Sequence, residues 1–271
     1  MAPWNMTRAE KDNAGAVKTG GVARLLLYAV PFVLLLAAYY PLFAGFNFLP
    51  FSYYPNWGTW VAGSNGSEYV KDELFERFVE TSFGSRENDQ SGISIFYPTH
   101  KFAAESLRKG VLPLWDPYVG AGVPTFHEGQ FRPFNVFMVP FYLYPAANTY
   151  CLSVLFGLAF GFLMMRMFLL GEGLSEAAAV FGSTIFVMNP FVLNRLSFPE
   201  HLFAYFFFPL LLHSVSRLRG MSLAAVAAAS IPFVLMGHAG HPELCLIEAF
   251  LAGAYYLWTN RSPMREKIGV L

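Results

Sequence analysis

Six stretches of this chain are apolar over most of their length: Val22 to about Phe46, Ala147 to Leu170, Leu174 to Leu193, Phe203 to Val215, Leu223 to Met236 and Leu244 to Trp258. A helix needs about 20 residues to cross a hydrocarbon core about 30 Å thick. The first three runs reach that length, and the last three gain it from flanking Pro, His, Tyr or Trp suited to an interface. The pattern predicts an all-α integral membrane protein of about six transmembrane helices. Residues 1–21 form a tail, 22–271 a single membrane domain, and 47–145 its large first loop.

The loop has patterns of its own. In Lys71–Thr81, Leu74, Phe75, Phe78 and Val79 share one helical face with the acids elsewhere, and Thr99–Lys109 repeats this with Phe102, Ala103 and Leu107, closed by Gly110. Two interfacial helices are expected. Between them, Phe83–Gly92 is a surface turn region. Pro113, Pro117, Gly120, Gly122 and Pro124 then forbid regular helix and predict an irregular segment presenting Trp115, Asp116 and Tyr118 at the membrane surface or a cavity mouth. Pro133–Pro145 is apolar but too broken by proline to span, and is expected in the interface or dipping inward.

Basic residues fix the expected orientation. Arg8, Lys11, Lys18 and Arg24 precede the first run, and Arg166, Arg217, Arg219, Arg261, Arg265 and Lys267 lie at alternate ends of the others. Both termini are therefore expected in the cytoplasm and the loop outside. The composition, 55% hydrophobic and 13% charged, is that of a membrane chain, and a formal charge of zero argues against nucleic acid as a partner. Cys151 and Cys245 are expected as buried small hydrophobes rather than a disulfide. Gly157 and Gly161 at GxxxG spacing, and the alanines of 224–229, are expected at helix contacts.

Five of the six histidines, His100, His127, His201, His238 and His241, map to the outer side together with Glu128, Glu200 and Glu243. Imidazole and carboxylate at His127, Glu128, Glu200, His201, His238 and His241 make a candidate set for Mn²⁺, Mg²⁺ or Zn²⁺; hydrogen bonding at helix ends is the simpler use of the same residues. No HExxH, Walker A, GxSxG, GxGxxG or CxxC pattern is present. Inside the spans the deep ionisable groups are His213 and Glu248, and an intramembrane Glu is a functional candidate by default.

The loop also resembles a known family. Tyr97-Pro98, Leu107-Arg108-Lys109-Gly110, Leu112-Pro113-Leu114-Trp115-Asp116-Pro117-Tyr118, Gly122, Pro124, Gly129-Gln130 and Pro133-Phe134-Asn135 follow the first outer loop of bacterial YfhO-like membrane proteins. Ala239-Gly240-His241-Pro242-Glu243 is similar to a later stretch of theirs. Asp116 and Glu243 stand where that family has Asn and Gln. The resemblance implies the GT-C glycosyltransferase architecture in a bacterial cytoplasmic (inner) membrane, acting at its outer face on polyprenyl-phosphate sugars.

Such chemistry needs a carboxylate to take the acceptor's proton and cations to hold the leaving phosphate. Asp89, which precedes Tyr97-Pro98 by about the family's distance, is the candidate base that the resemblance implies, with Asp72 and Glu73 as competitors. Arg132 and Arg195 are the candidate phosphate ligands. Trp115, Asp116, Tyr118, His127, Gln130, His201, His241 and Glu243 complete the expected substrate site. Two other readings stay open: an accessory subunit whose loop binds a partner chain supplying further spans, and a small transporter using Glu248.

Overall fold

The computed structural model describes residues 21–38, 95–125, 132, 134–196, 199–218 and 223–259. Helix accounts for 78% of them, which places the chain in the all-α class. The long helices are α1 (Gly21–Ala38), α4 (Ala147–Gly171), α5 (Glu176–Met188), α7 (Pro199–Ser216), α8 (Leu223–Ala239) and α9 (Pro242–Thr259). Shorter helices are α2 (Tyr97–Arg108), α3 (Val139–Leu143) and α6 (Pro190–Asn194). The expected helix at Lys71–Thr81 and the turn at Phe83–Gly92 lie outside the described residues.

Two helical segments, Asn148–Gly171 and Glu176–Leu193, are long and apolar enough to cross a membrane, and only 28% and 33% of an apolar 18-residue stretch in each is buried within the chain. A core helix of a soluble protein would be mostly covered. The remaining long helices have 17 or 18 residues, at the short end of what can span. The outer faces of α8 and α9 are also open: Leu223, Phe250 and Trp258 are each more than three-quarters exposed. Apolar area on this scale requires apolar surroundings or a partner.

The core lies along α4 and α7, where glycine sets the spacing. A Cβ on Gly157 or Gly161 would come within 2.7 Å of the Phe206 ring, so the two small residues form the slot that this ring fills. The alanine run behaves differently. Ala224 and Ala227 are exposed, while Met236 and Ala239 at the far end of α8 are buried in the core.

Of the expected Pro133–Pro145 segment, the described part, 134–145, dips inward further than its proline content implies. Asn135 caps a 3-10 turn, Val136–Met138, by accepting from the Phe137 N–H at 3.0 Å. Phe137, Met138 and Phe141 are fully buried. Phe137 packs on Phe156, Phe160, Phe203, Phe206 and Phe207, stoppering the α4–α7 seam from one end. Broken backbone at that depth is tolerated because it is enclosed by protein.

Before this plug, α2 ends as its sequence predicts. Gly110 takes φ +72°, and the Val111 N–H returns to Ser106 O at 3.0 Å, a left-handed glycine cap. The following Leu112–Tyr118 is not helical. Instead of a wholly irregular path it makes a small ladder, Trp115–Asp116 (β1) against Val123–Pro124 (β2). Asp116 Oδ1 accepts from the Tyr118 N–H at 2.9 Å, turning the chain at Pro117. The Trp115 indole lies over Gly122, whose φ of +96° and lack of room for a Cβ (2.5 Å from the ring) admit only glycine. Cys151 and Cys245 are both buried and free.

Candidate functional site

One end of the bundle gathers α2, the ladder, the plug, the starts of α4 and α7, and the α8–α9 turn. Asn135 ties the plug to that turn, donating from Nδ2 to Ala239 O at 2.9 Å while its Oδ1 holds the cap. Arg132, half-buried, donates from Nε to Gly237 O at 3.3 Å. Three segments distant in sequence are thereby held together.

The turn itself is Gly240-His241. Gly240 has φ +136° and His241 φ +25°; among the described residues His241 is the one non-glycine with positive φ. Such a conformation costs of order 1–3 kcal/mol and persists where the surroundings hold it. Here they do: the imidazole of His201, on the first turn of α7, stacks on that of His241 with ring centroids 3.6 Å apart and planes 32° from parallel. Burial, seconded by the charge of Arg195, holds His241 below its usual pKa against the opposite pulls of Glu243 and Glu200. Arg132 through Gly237 O, and His201 through the His241 ring, are thereby tied to the α8–α9 turn, on which Arg195 also acts.

Beneath it lies a sealed polar network. His100 and Glu200 are fully buried and meet at 3.0 Å between Nε2 and Oε1. With Nε2–H donating to Glu200 Oε1, Nδ1 is left to accept the Tyr142 hydroxyl at 3.1 Å. Burial, and then the charge of Glu200, push the Tyr142 phenol above its ordinary range. Tyr150 packs edge-on against His100. The network joins α2, α3, α4 and α7, so the loop helix is bolted to the bundle through it.

The residues singled out in the sequence divide accordingly. Arg132, Arg195, His201 and His241 are brought together. Glu200 is adjacent but sealed against His100. Glu243 and His238 point outward, Glu243 reaching His241 only at 3.7 Å. Trp115 and Tyr118 are exposed, and Asp116 is buried as a turn former. Asp89, Asp72, Glu73, His127, Glu128 and Gln130 lie outside the described residues. Among the described residues no group of three His, Cys, Asp or Glu side chains is arranged to hold a metal ion. Of the candidate metal set, the described residues bring the His201 ring against that of His241, while Glu200 Oε1 is engaged by His100.

Reading by residue type and topology missed the partnership of His100 with Glu200, Tyr142 and Tyr150, and the bridging role of Asn135. One signal was available: His100 shares the α2 face of Ala103 and Ala104, both buried, at i, i+3 and i+4 spacing.

No family model matches the chain, and no curated protein or solved structure matches it either.

Proposed function

We propose that this is a multi-pass membrane protein with the GT-C-like arrangement, whose loop-rich end faces out of the cytoplasm and transfers a sugar from a polyprenyl-phosphate donor. The observation that carries this reading is the gathering of Arg132 and Arg195 around the His201–His241 pair at one end of an otherwise apolar bundle. Two guanidiniums beside a membrane-depth apolar core suit a phosphate whose tail lies in lipid. The exposed Trp115 and Tyr118 on the neighbouring ladder suit the interface. In the transfer, a loop carboxylate takes the proton of the acceptor hydroxyl as its oxygen attacks the anomeric carbon. The C–O bond to phosphate breaks with its electron pair on the phosphate oxygen. Asp89 is assigned as that base, and Arg132 and Arg195 stabilise the leaving phosphate.

Asp89→Asn should lower transfer from a radiolabelled polyprenyl-phosphate sugar by about a hundredfold or more with normal membrane insertion; unchanged transfer would move the role to Asp72 or Glu73, or remove it. Orientation is tested separately. Cysteines at Ser64 and Ser91 should react with an impermeant reagent applied from outside, and one at Ser262 should not; labelling of Ser262 overturns the topology.

A further inference from the structure

Glu248 lies on the stripe of α9 that begins with His241 and Cys245, and its side chain is 3% exposed. Both carboxyl oxygens are closed to solvent and, among the described residues, lack a hydrogen-bond partner. The neighbours that carry protons have them committed elsewhere. Tyr205 of α7 donates its hydroxyl to Phe186 O at 3.2 Å and accepts from Asn189 Nδ2 at 3.0 Å. Cys245 directs its thiol to Met236 O at 3.3 Å and Gly240 O at 3.5 Å. From α8 come the apolar Met236 and Ala239, while His238 of that helix is exposed. Tyr255 stands two turns further along α9. Among the described residues Glu248 has no ion-pair partner.

An ionised carboxylate so enclosed would lack every donor that water had given it, at a cost of several kcal/mol. A ligand must supply what the protein withholds. A metal ion or a sugar hydroxyl needs room beside the oxygens, and neither oxygen has any; a proton needs none. We propose that Glu248 is a proton site inside the bundle, a carboxyl held as the neutral acid between α7 and α9 and ionised only when that seam opens to water. The site does not depend on sugar transfer and would stand if that activity were absent.

The test is difference infrared spectroscopy of the full chain in lipid nanodiscs, wild type against Glu248→Gln. At neutral pH the wild type should show a protonated-carboxyl stretch that is wholly lost in the variant; superimposable spectra overturn the proposal. A second measurement uses the wild type alone, in case the variant does not fold. An apolar carbodiimide reacts with the acid form, its nitrogen taking the carboxyl proton as the carboxyl oxygen bonds to its central carbon. Mass spectrometry should find the adduct on Glu248 and not on the exposed Glu243, and the reverse pattern overturns the proposal. If the reagent reaches neither, the wild-type infrared band decides, by its presence or absence at neutral pH.

Discussion

Two histidine–carboxylate pairs stand close together at the loop-rich end and differ in almost every physical respect. His100 and Glu200 meet at 3.0 Å with both side chains 1% exposed, and a tyrosine closes the far side of the ring. His241 and Glu243 stand 3.7 Å apart with the carboxylate 81% exposed, and the imidazole is held by a second histidine instead. Residue type is the same; enclosure is not. The sealed pair fixes the loop helix to the bundle, while in the other only the carboxylate is open and the imidazole is buried on a strained turn. A carboxylate beside a histidine thus marks scaffold or site according to what covers it.

Breaking the sealed pair should give the largest effect. Removing one member leaves the other buried and unpartnered, so Glu200→Ala or His100→Ala should cost about 3–5 kcal/mol, read by thermal or denaturant unfolding in detergent. The double variant should cost less than the sum of the two, because the orphaned partner is gone too. Single losses below about 1 kcal/mol would put this pair in the same class as the open one.

The seam beneath the two pairs sharpens the contrast between closed and open surroundings. Gly161→Leu drives a side chain into Phe206 and should destabilise by about 1–3 kcal/mol. Gly237→Ala, where nothing lies within 4 Å of the new Cβ, should stabilise by up to about 1 kcal/mol. Equal effects at the two glycines would mean that α4 and α7 are not in close contact.

Next in size is a pH effect at His241, whose pKa is lowered in the folded chain mainly by burial. The unfolded imidazole takes up a proton near pH 6.5 while the folded one resists, so stability is full above that value and falls as pH drops through and below it. His241→Gln should flatten the acid limb of a stability–pH curve, and an unaltered curve would show that the imidazole is not enclosed. Smallest of all, Glu243→Gln should change stability by no more than about 0.5 kcal/mol.

Local grammar was legible in the residues. The glycine at the end of α2, the refusal of Leu112–Tyr118 to form helix, the GxxxG slot and the lone cysteines are short-range consequences of residue shape. Long-range choices were not. Nothing in the spacing of His100 and Glu200 announces that they pair, since their meeting depends on how α2 lands on α7. Ala224 and Ala227 of α8 have the composition of a contact but face outward, because composition does not say which helix, if any, comes alongside. Asn135 could be read as a cap, but not as the brace that reaches Ala239. At the site, Arg132, Arg195, His201 and His241 were reachable by topology alone, because alternate connections of a helical bundle return to the same end.

The claim that this end receives the phosphate of a lipid-linked sugar is tested most directly by binding of polyprenyl phosphate to the full chain in nanodiscs, measured by native mass spectrometry. The Arg132→Ala/Arg195→Ala variant should lose binding by at least about tenfold, since each charge-assisted contact is worth about 1.5–3 kcal/mol, while Glu243→Gln should retain it. Undiminished binding by the double arginine variant would contradict the assignment.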